Sequence, residues 1–234
     1  MRSTALTDRD RKVLDLWERG VGLDRWQRDD ALLADDAPRG LGARNAALLA
    51  LRNTLFDRAW SLTSSCPACG TGCEFEVDSV ALAEQLRLPG EPAVPFEWGG
   101  RSLAARAPTV DDLRAISRAA DRASAVRALL ARCVEGDLDL AAADDGAIDE
   151  LGQRLERLDP AAVVGFQLNC PACRHEWSAM LDVGEALWSE LQRSAERTLG
   201  EIDSLARAYG WTEAEVMQLS PTRRAAYLQL VGSV

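Results

Sequence analysis

Two short phrases hold the side chains most able to do chemistry. Residues 64–77 read SSCPACGTGCEFEV and residues 169–177 read NCPACRHEW. Each contains C-P-A-C, with Cys66 and Cys69 in the first phrase and Cys170 and Cys173 in the second. A C-x-x-C turn points two sulfurs the same way, and thiolate sulfur is a soft ligand that suits the tetrahedral preference of zinc. One such turn fills two corners of a tetrahedron, so the duplication predicts one structural Zn2+ site with Cys66, Cys69, Cys170 and Cys173 as ligands.

The distance along the chain is the objection. One hundred residues lie between Cys69 and Cys170, where a compact ribbon has about fifteen to twenty. Loop-closure cost grows only with the logarithm of length, so the longer insert costs about 1.5–2 kcal/mol more. Structural zinc supplies on the order of 10–16 kcal/mol in small peptides, so the metal outweighs the loop. Two competing readings are unrelated pairs of buried cysteines and a dithiol redox centre. The exact repeat disfavours the first. A redox C-x-x-C belongs at a helix N-terminus, whereas both phrases border strand patterns.

Three nearby residues are weaker candidates. Cys73 could replace a ligand but reads more simply as a small side chain opening a strand. His175, the single histidine, could support a thiolate or be a ligand in a rearranged site, but reads more simply as an ordinary turn residue. Cys133 falls on the apolar face of a helix pattern and reads as core. No catalytic residue is assigned. Four cysteines close the metal's shell, whereas a catalytic zinc keeps a position open. The phosphate-binding, dinucleotide-binding and nucleophile-elbow glycine motifs do not occur. The pairs Asp29-Asp30, Asp111-Asp112 and Asp144-Asp145 read as caps and loops.

Charge narrows the partners. The chain has 37 acidic and 27 basic residues, for a net charge of -10; four zinc-bound thiolates would bring this to about -12. Lys12 is the only lysine and no basic run occurs, so a nucleic-acid partner is not expected. MRSTALTDRDRK has no apolar leader, and no run reaches membrane-spanning length. The expectation is a cytoplasmic protein, in which paired cysteines mean metal or redox chemistry rather than structural disulfides.

Three segments are expected to position the cysteines. Residues 1–60 read as N-terminal helices: one after a Thr7/Asp10 capping box, one over Leu23 to Leu33, and one from Ala43 to Trp60 leading to the first knuckle. Residues 61–183 read as a zinc-ribbon-like sheet with a helical insertion at about 109–160. In it CEFEV forms a strand and VALAEQL a short helix. AVPFEW and RSLAARA form two strands across a Gly turn, with Pro95 placing the first at an edge. Helices follow from Thr109, from Asp121 to Val134 and from Ala147 to Leu158, with an acidic loop before the last. Val164, Phe166 and Leu168, then Trp177, Ala179 and Leu181, alternate as a hairpin around the second knuckle. Residues 184–234 read as C-terminal helices: a long one from Val183 to Tyr209, with Leu187, Leu191, Leu199 and Ile202 on its apolar side, stopped by Gly210, then two short ones. The fold class is α+β: mostly helical, with a small antiparallel sheet built from two sequence-distant knuckles in one intertwined unit.

Four stretches together resemble a family. They are LLALRNTLF ahead of a C-P-x-C, ARAPTVDDL, a C-P-x-C-x-H-x-W ahead of a long helix, and LARAYGWTEAEVMQLSPTRRAAYLQLV. This pattern is similar to baseplate hub assembly chaperones of the T-even-phage type, in the zinc-knuckle version found in contractile phage tails and phage-like injection systems. It covers most of residues 43–234. AYGWTEAEVMQLSPTRRAAYL is its most specific part, Cys73 lies outside it, and residues 1–42 match least. The resemblance implies a non-enzymatic assembly role with baseplate or hub proteins as partners, and leaves open whether the chain stays in the finished particle. Trp211, Met217, Tyr227 and Leu228 are candidates for a partner-binding face, or for packing on the long helix. The alternative functions are a zinc-ribbon nucleic-acid binder and a thiol redox protein.

Overall fold

The structure, a computed structural model, describes residues 4–34, 37–87, 90–136, 139–140 and 142–232; the side chains of residues 4–7 lie outside that description. The chain divides into two compact units: Met1–Leu32, Thr54–Phe56 and Gly184–Val234 form the first, Leu33–Asn53 and Asp57–Val183 the second. Among the described residues the architecture is α+β, with helices α1 to α10 and three small antiparallel sheets; each knuckle hairpin is a two-stranded sheet of its own, where one shared sheet was expected.

In the first unit, α1 (Thr4–Gly20) begins before Thr7, so that residue sits inside the helix rather than at its cap. Its Val13, Leu14 and Leu16 are buried, while the expected Trp17 is only half-buried. The helix α2 (Arg25–Leu33) is capped by Asp24, whose carboxylate accepts from the backbone N–H groups of Trp26 and Gln27 at 2.9 Å. The long α8 (Val183–Tyr209) buries Leu187, Leu191, Ala195 and Leu205, as its periodicity requires. Leu199 is a correction: it is exposed rather than on the buried side. Gly210, at φ +69, ends the helix in the left-handed conformation that glycine adopts without strain. The short α9 (Glu213–Gln218) carries the expected Thr212/Glu215 capping box, and α10 (Pro221–Val231) starts with Ser220 as its cap. Buried Arg224 of α10 pairs with Asp10 of α1, and with Glu201 of α8 at 2.8 Å.

The second unit holds the insertion and both knuckles. The helix α3 spans Leu41–Leu55 and stops five residues short of the expected Trp60. Arg52 explains the stop: its guanidinium donates forward to the carbonyls of Asp57 (2.7 Å) and Ala59 (3.3 Å) and to Ser79 Oγ (3.0 Å), turning the chain into a strand. That strand is β1 (Ala59–Ser65), and it pairs with β2 (Gly72–Asp78). Asp78 then caps α4 (Ser79–Gln85).

In the insertion, β3 (Phe96–Trp98) and β4 (Arg101–Ala105) form the expected hairpin across Gly99-Gly100, both at positive φ. The strand β3 is an edge, as Pro95 just ahead of it requires. A two-residue strand, β5 (Val134–Glu135), adds to β4, so Val134 belongs to a strand rather than to the helix before it. The helices α5 (Val110–Ile116), α6 (Arg122–Cys133) and α7 (Asp145–Leu158) complete the insertion; the acidic loop before α7 is described except at residues 137, 138 and 141. Leu103, Leu130, Cys133, Leu151 and Leu155 pack into one core between sheet and helices. The unit ends with β6 (Val164–Asn169) and β7 (Glu176–Leu181), paired as a hairpin.

Candidate metal centre

Each knuckle closes the end of its own two-stranded ladder. The first ladder runs from the Ala59–Asp78 pair to Ser65–Gly72, the second from Val164–Leu181 to Asn169–Glu176. Six residues remain at each end, 66–71 and 170–175, and they share one backbone geometry. Cys66 N–H donates to the Thr71 carbonyl and Gly70 N–H to the Cys66 carbonyl, both at 2.9 Å. Cys170 N–H donates to the His175 carbonyl and Arg174 N–H to the Cys170 carbonyl, also at 2.9 Å. The residue after the second cysteine is left-handed in both, Gly70 at φ +75 and Arg174 at φ +62. The repeated sequence therefore builds a repeated shape, residue for residue.

Side chains facing inward from the ladders bring the two shapes together. Phe75 of β2 and Phe166 of β6 meet with ring centroids 5.5 Å apart. Cys66, Cys73 and Cys170 form one buried cluster, against which Trp177 packs. The ligand sulfurs of Cys66, Cys69, Cys170 and Cys173 all lie within 4.8 Å of one another. Two contacts cross between knuckles: Cys66 Sγ to Cys173 Sγ at 3.7 Å, and Cys69 Sγ to Cys170 Sγ at 3.6 Å. All six cysteines are free thiols. A tetrahedron with metal–sulfur bonds of about 2.3 Å has edges of about 3.8 Å, so the cluster has the size of a four-thiolate metal shell.

Charge makes the same case for a cation. The Thr71 hydroxyl, 3.2 Å from Cys69 Sγ, and the Thr71 backbone N–H pull the Cys69 thiol down to about 6. The backbone N–H of Cys173 lowers Cys170 against the effect of burial. At Cys173 the backbone N–H of His175 acts downward, but the sulfurs of Cys69, Cys66 and Cys170 and burial outweigh it and push the thiol up to about 12. Negative sulfurs this close oppose one another's ionisation, and a bound cation removes that opposition. Among the described residues this is the one group of His, Cys, Asp and Glu side chains so arranged.

The neighbouring candidates are placed as well. Cys73 is buried beside the cluster but outside the four; its sulfur lies 3.6 Å from the Thr71 carbonyl, and burial raises its thiol. His175 holds the knuckle through its backbone carbonyl, while its exposed ring stacks on Trp177 at 6.4 Å. Cys133 is fully buried in the insertion core, where burial pushes its thiol up to about 11. Thr71 is the supporting residue that reading the cysteines alone missed; a hydroxyl two positions after a ligand was the available signal.

Of the C-terminal candidates, Met217 is buried, Leu228 is half-buried, and Trp211 and Tyr227 pack on Tyr209 with ring centroids 4.7–5.5 Å apart. None of the described helices is long and apolar enough to cross a membrane. Comparison with protein-family models, curated proteins and solved structures gives no match for this chain.

Proposed function

We propose that Cys66, Cys69, Cys170 and Cys173 hold a structural zinc ion, and that the chain is a non-enzymatic assembly protein of a contractile-tail baseplate. The observation that carries the metal reading is the set of four free sulfurs from two matched knuckles, within 4.8 Å of one another. Four soft ligands at tetrahedral spacing suit zinc. A zinc ion so held is a cross-link, because a shell of four thiolates offers no place for water or substrate. It ties two hairpins separated by the whole insertion, so its value lies in holding the second unit together.

The assembly reading is supported by the resemblance of most of residues 43–234 to hub assembly chaperones and by the acidic balance of the chain, which disfavours a nucleic-acid partner. Co-expression with the baseplate and hub proteins of a contractile tail, followed by affinity capture from the tagged chain, is the test. Stoichiometric capture of a baseplate or hub component is the expected result. Binding to duplex DNA at physiological salt without such capture would sink this reading in favour of the nucleic-acid one.

A further inference from the structure

The four cysteines are not equally protected. The first cysteine of each knuckle is sealed, with Cys66 2% and Cys170 0% exposed, while the second of each, Cys69 and Cys173, is open to solvent. The two cross-knuckle contacts each join one of each kind: exposed Cys173 faces buried Cys66 at 3.7 Å, and exposed Cys69 faces buried Cys170 at 3.6 Å. Each exposed cysteine therefore faces a sealed one on the opposite hairpin. A disulfide needs the sulfurs at about 2.05 Å, so each pair must close by about 1.6 Å.

We propose that Cys69 and Cys173 are the entry points for peroxide, and that oxidation converts the cluster into two disulfides between the knuckles, Cys66–Cys173 and Cys69–Cys170. Once deprotonated, the sulfur of the exposed residue attacks one oxygen of hydrogen peroxide; the O–O bond breaks, hydroxide leaves, and the sulfur becomes a sulfenic acid. The buried thiolate opposite attacks that sulfur and expels a second hydroxide as the S–S bond forms. Two solvent protons convert the hydroxides to water. Each disulfide thus consumes two thiolates, one peroxide and two protons; the sulfurs lose the two electrons that the peroxide gains. Cys66, Cys69, Cys170 and Cys173 would then no longer offer thiolates to a divalent ion, and none of the electrons in this balance would come from it. One link between the hairpins replaces another, so the second unit stays tied when the metal is gone. Buried Cys73 and Cys133 remain thiols.

The inference rests on the metal-site reading for the reduced protein, so metal content is measured first on the same sample. The reduced full chain is then treated with hydrogen peroxide, alkylated and digested with trypsin without reduction. The expected product is peptide 59–87 joined to peptide 158–174, with Cys73 alkylated, and the Cys73→Ser variant yields the same joined peptides. Loops closed inside each peptide, Cys66 to Cys69 and Cys170 to Cys173, overturn the proposal, as do sulfinic acids at Cys69 and Cys173 without joined peptides. Absence of metal from the reduced chain counts against the zinc reading alone, because the joined peptides are scored independently of it.

Discussion

At the scale of single residues, all six thiols lie in the second unit, five in or beside the sulfur cluster and Cys133 in the insertion core, and position separates their roles. Cys170 is a fully buried ligand candidate. Cys170→Ser is expected to lose the metal and at least about 4 kcal/mol of unfolding free energy, the range that marks loss of a structural metal. Cys73→Ser keeps the metal and changes stability by about 1 kcal/mol, since Ser can donate to the same Thr71 carbonyl. Metal analysis and urea titration of both variants check the contrast.

Asp112 is the other decisive side chain. It is buried, and it accepts from Arg106 at 2.6 and 3.0 Å, from Arg132 at 2.9 Å and from Thr109 N–H at 2.9 Å. The Arg106 hydrogen bond, more than any other contact, holds its carboxyl well below the usual carboxylate range. Asp112→Asn should cost about 2 kcal/mol, toward the lower end because both arginines stay hydrated. A depressed folded pKa stabilises fully above the unfolded value of about 4, and the contribution is lost as pH falls from there through the folded value. The stability gap between wild type and Asp112→Asn is therefore flat above about pH 5 and shrinks below about pH 4. Denaturation measured across that range checks the sign.

At the scale of elements, the two knuckles share a backbone but not a residue at the left-handed position. Gly70 adopts φ +75 freely, whereas Arg174 at φ +62 bears the steric cost of its Cβ. Arg174→Gly should stabilise the metal-loaded protein by about 1 kcal/mol, and Gly70→Ala should destabilise it by a similar amount. Opposite shifts in the urea midpoint are the readout. The expected hairpin β6–β7 was legible because Val164, Phe166 and Leu168 alternate cleanly into the turn. The strand β1 was not, because LLALRNTLFDRAW continues a helical period through Trp60. What ends that helix is Arg52 bonding to carbonyls five and seven residues ahead, a contact that no local pattern records. The strand β5 escaped for a simpler reason: two residues cannot display a period.

At the scale of the whole molecule, the four cysteines of the candidate metal site lie entirely in the second unit. Chelation of the purified protein should therefore raise hydrogen exchange in residues 59–78 and 164–181 well before it does so in α8. Uniform loss of protection across both units would contradict that placement.

Much about this protein followed from residue types and spacing alone. The repeated C-P-A-C named the four sulfurs because metal chemistry demands paired soft ligands. The capping residues Thr109, Thr212 and Ser220 marked helix starts because a helix N-terminus needs an acceptor for its free N–H groups. The α+β class followed from changes of hydrophobic period. The tertiary structure decided what depends on distant partners: Trp60 in a strand, Leu199 turned to solvent, Asp10 and Arg224 paired from opposite ends of the chain, and one cysteine of each knuckle buried while the other is exposed. Local periodicity reports which face a segment wants to bury. Which neighbour covers that face, and how completely, is settled only when the chain folds back on itself.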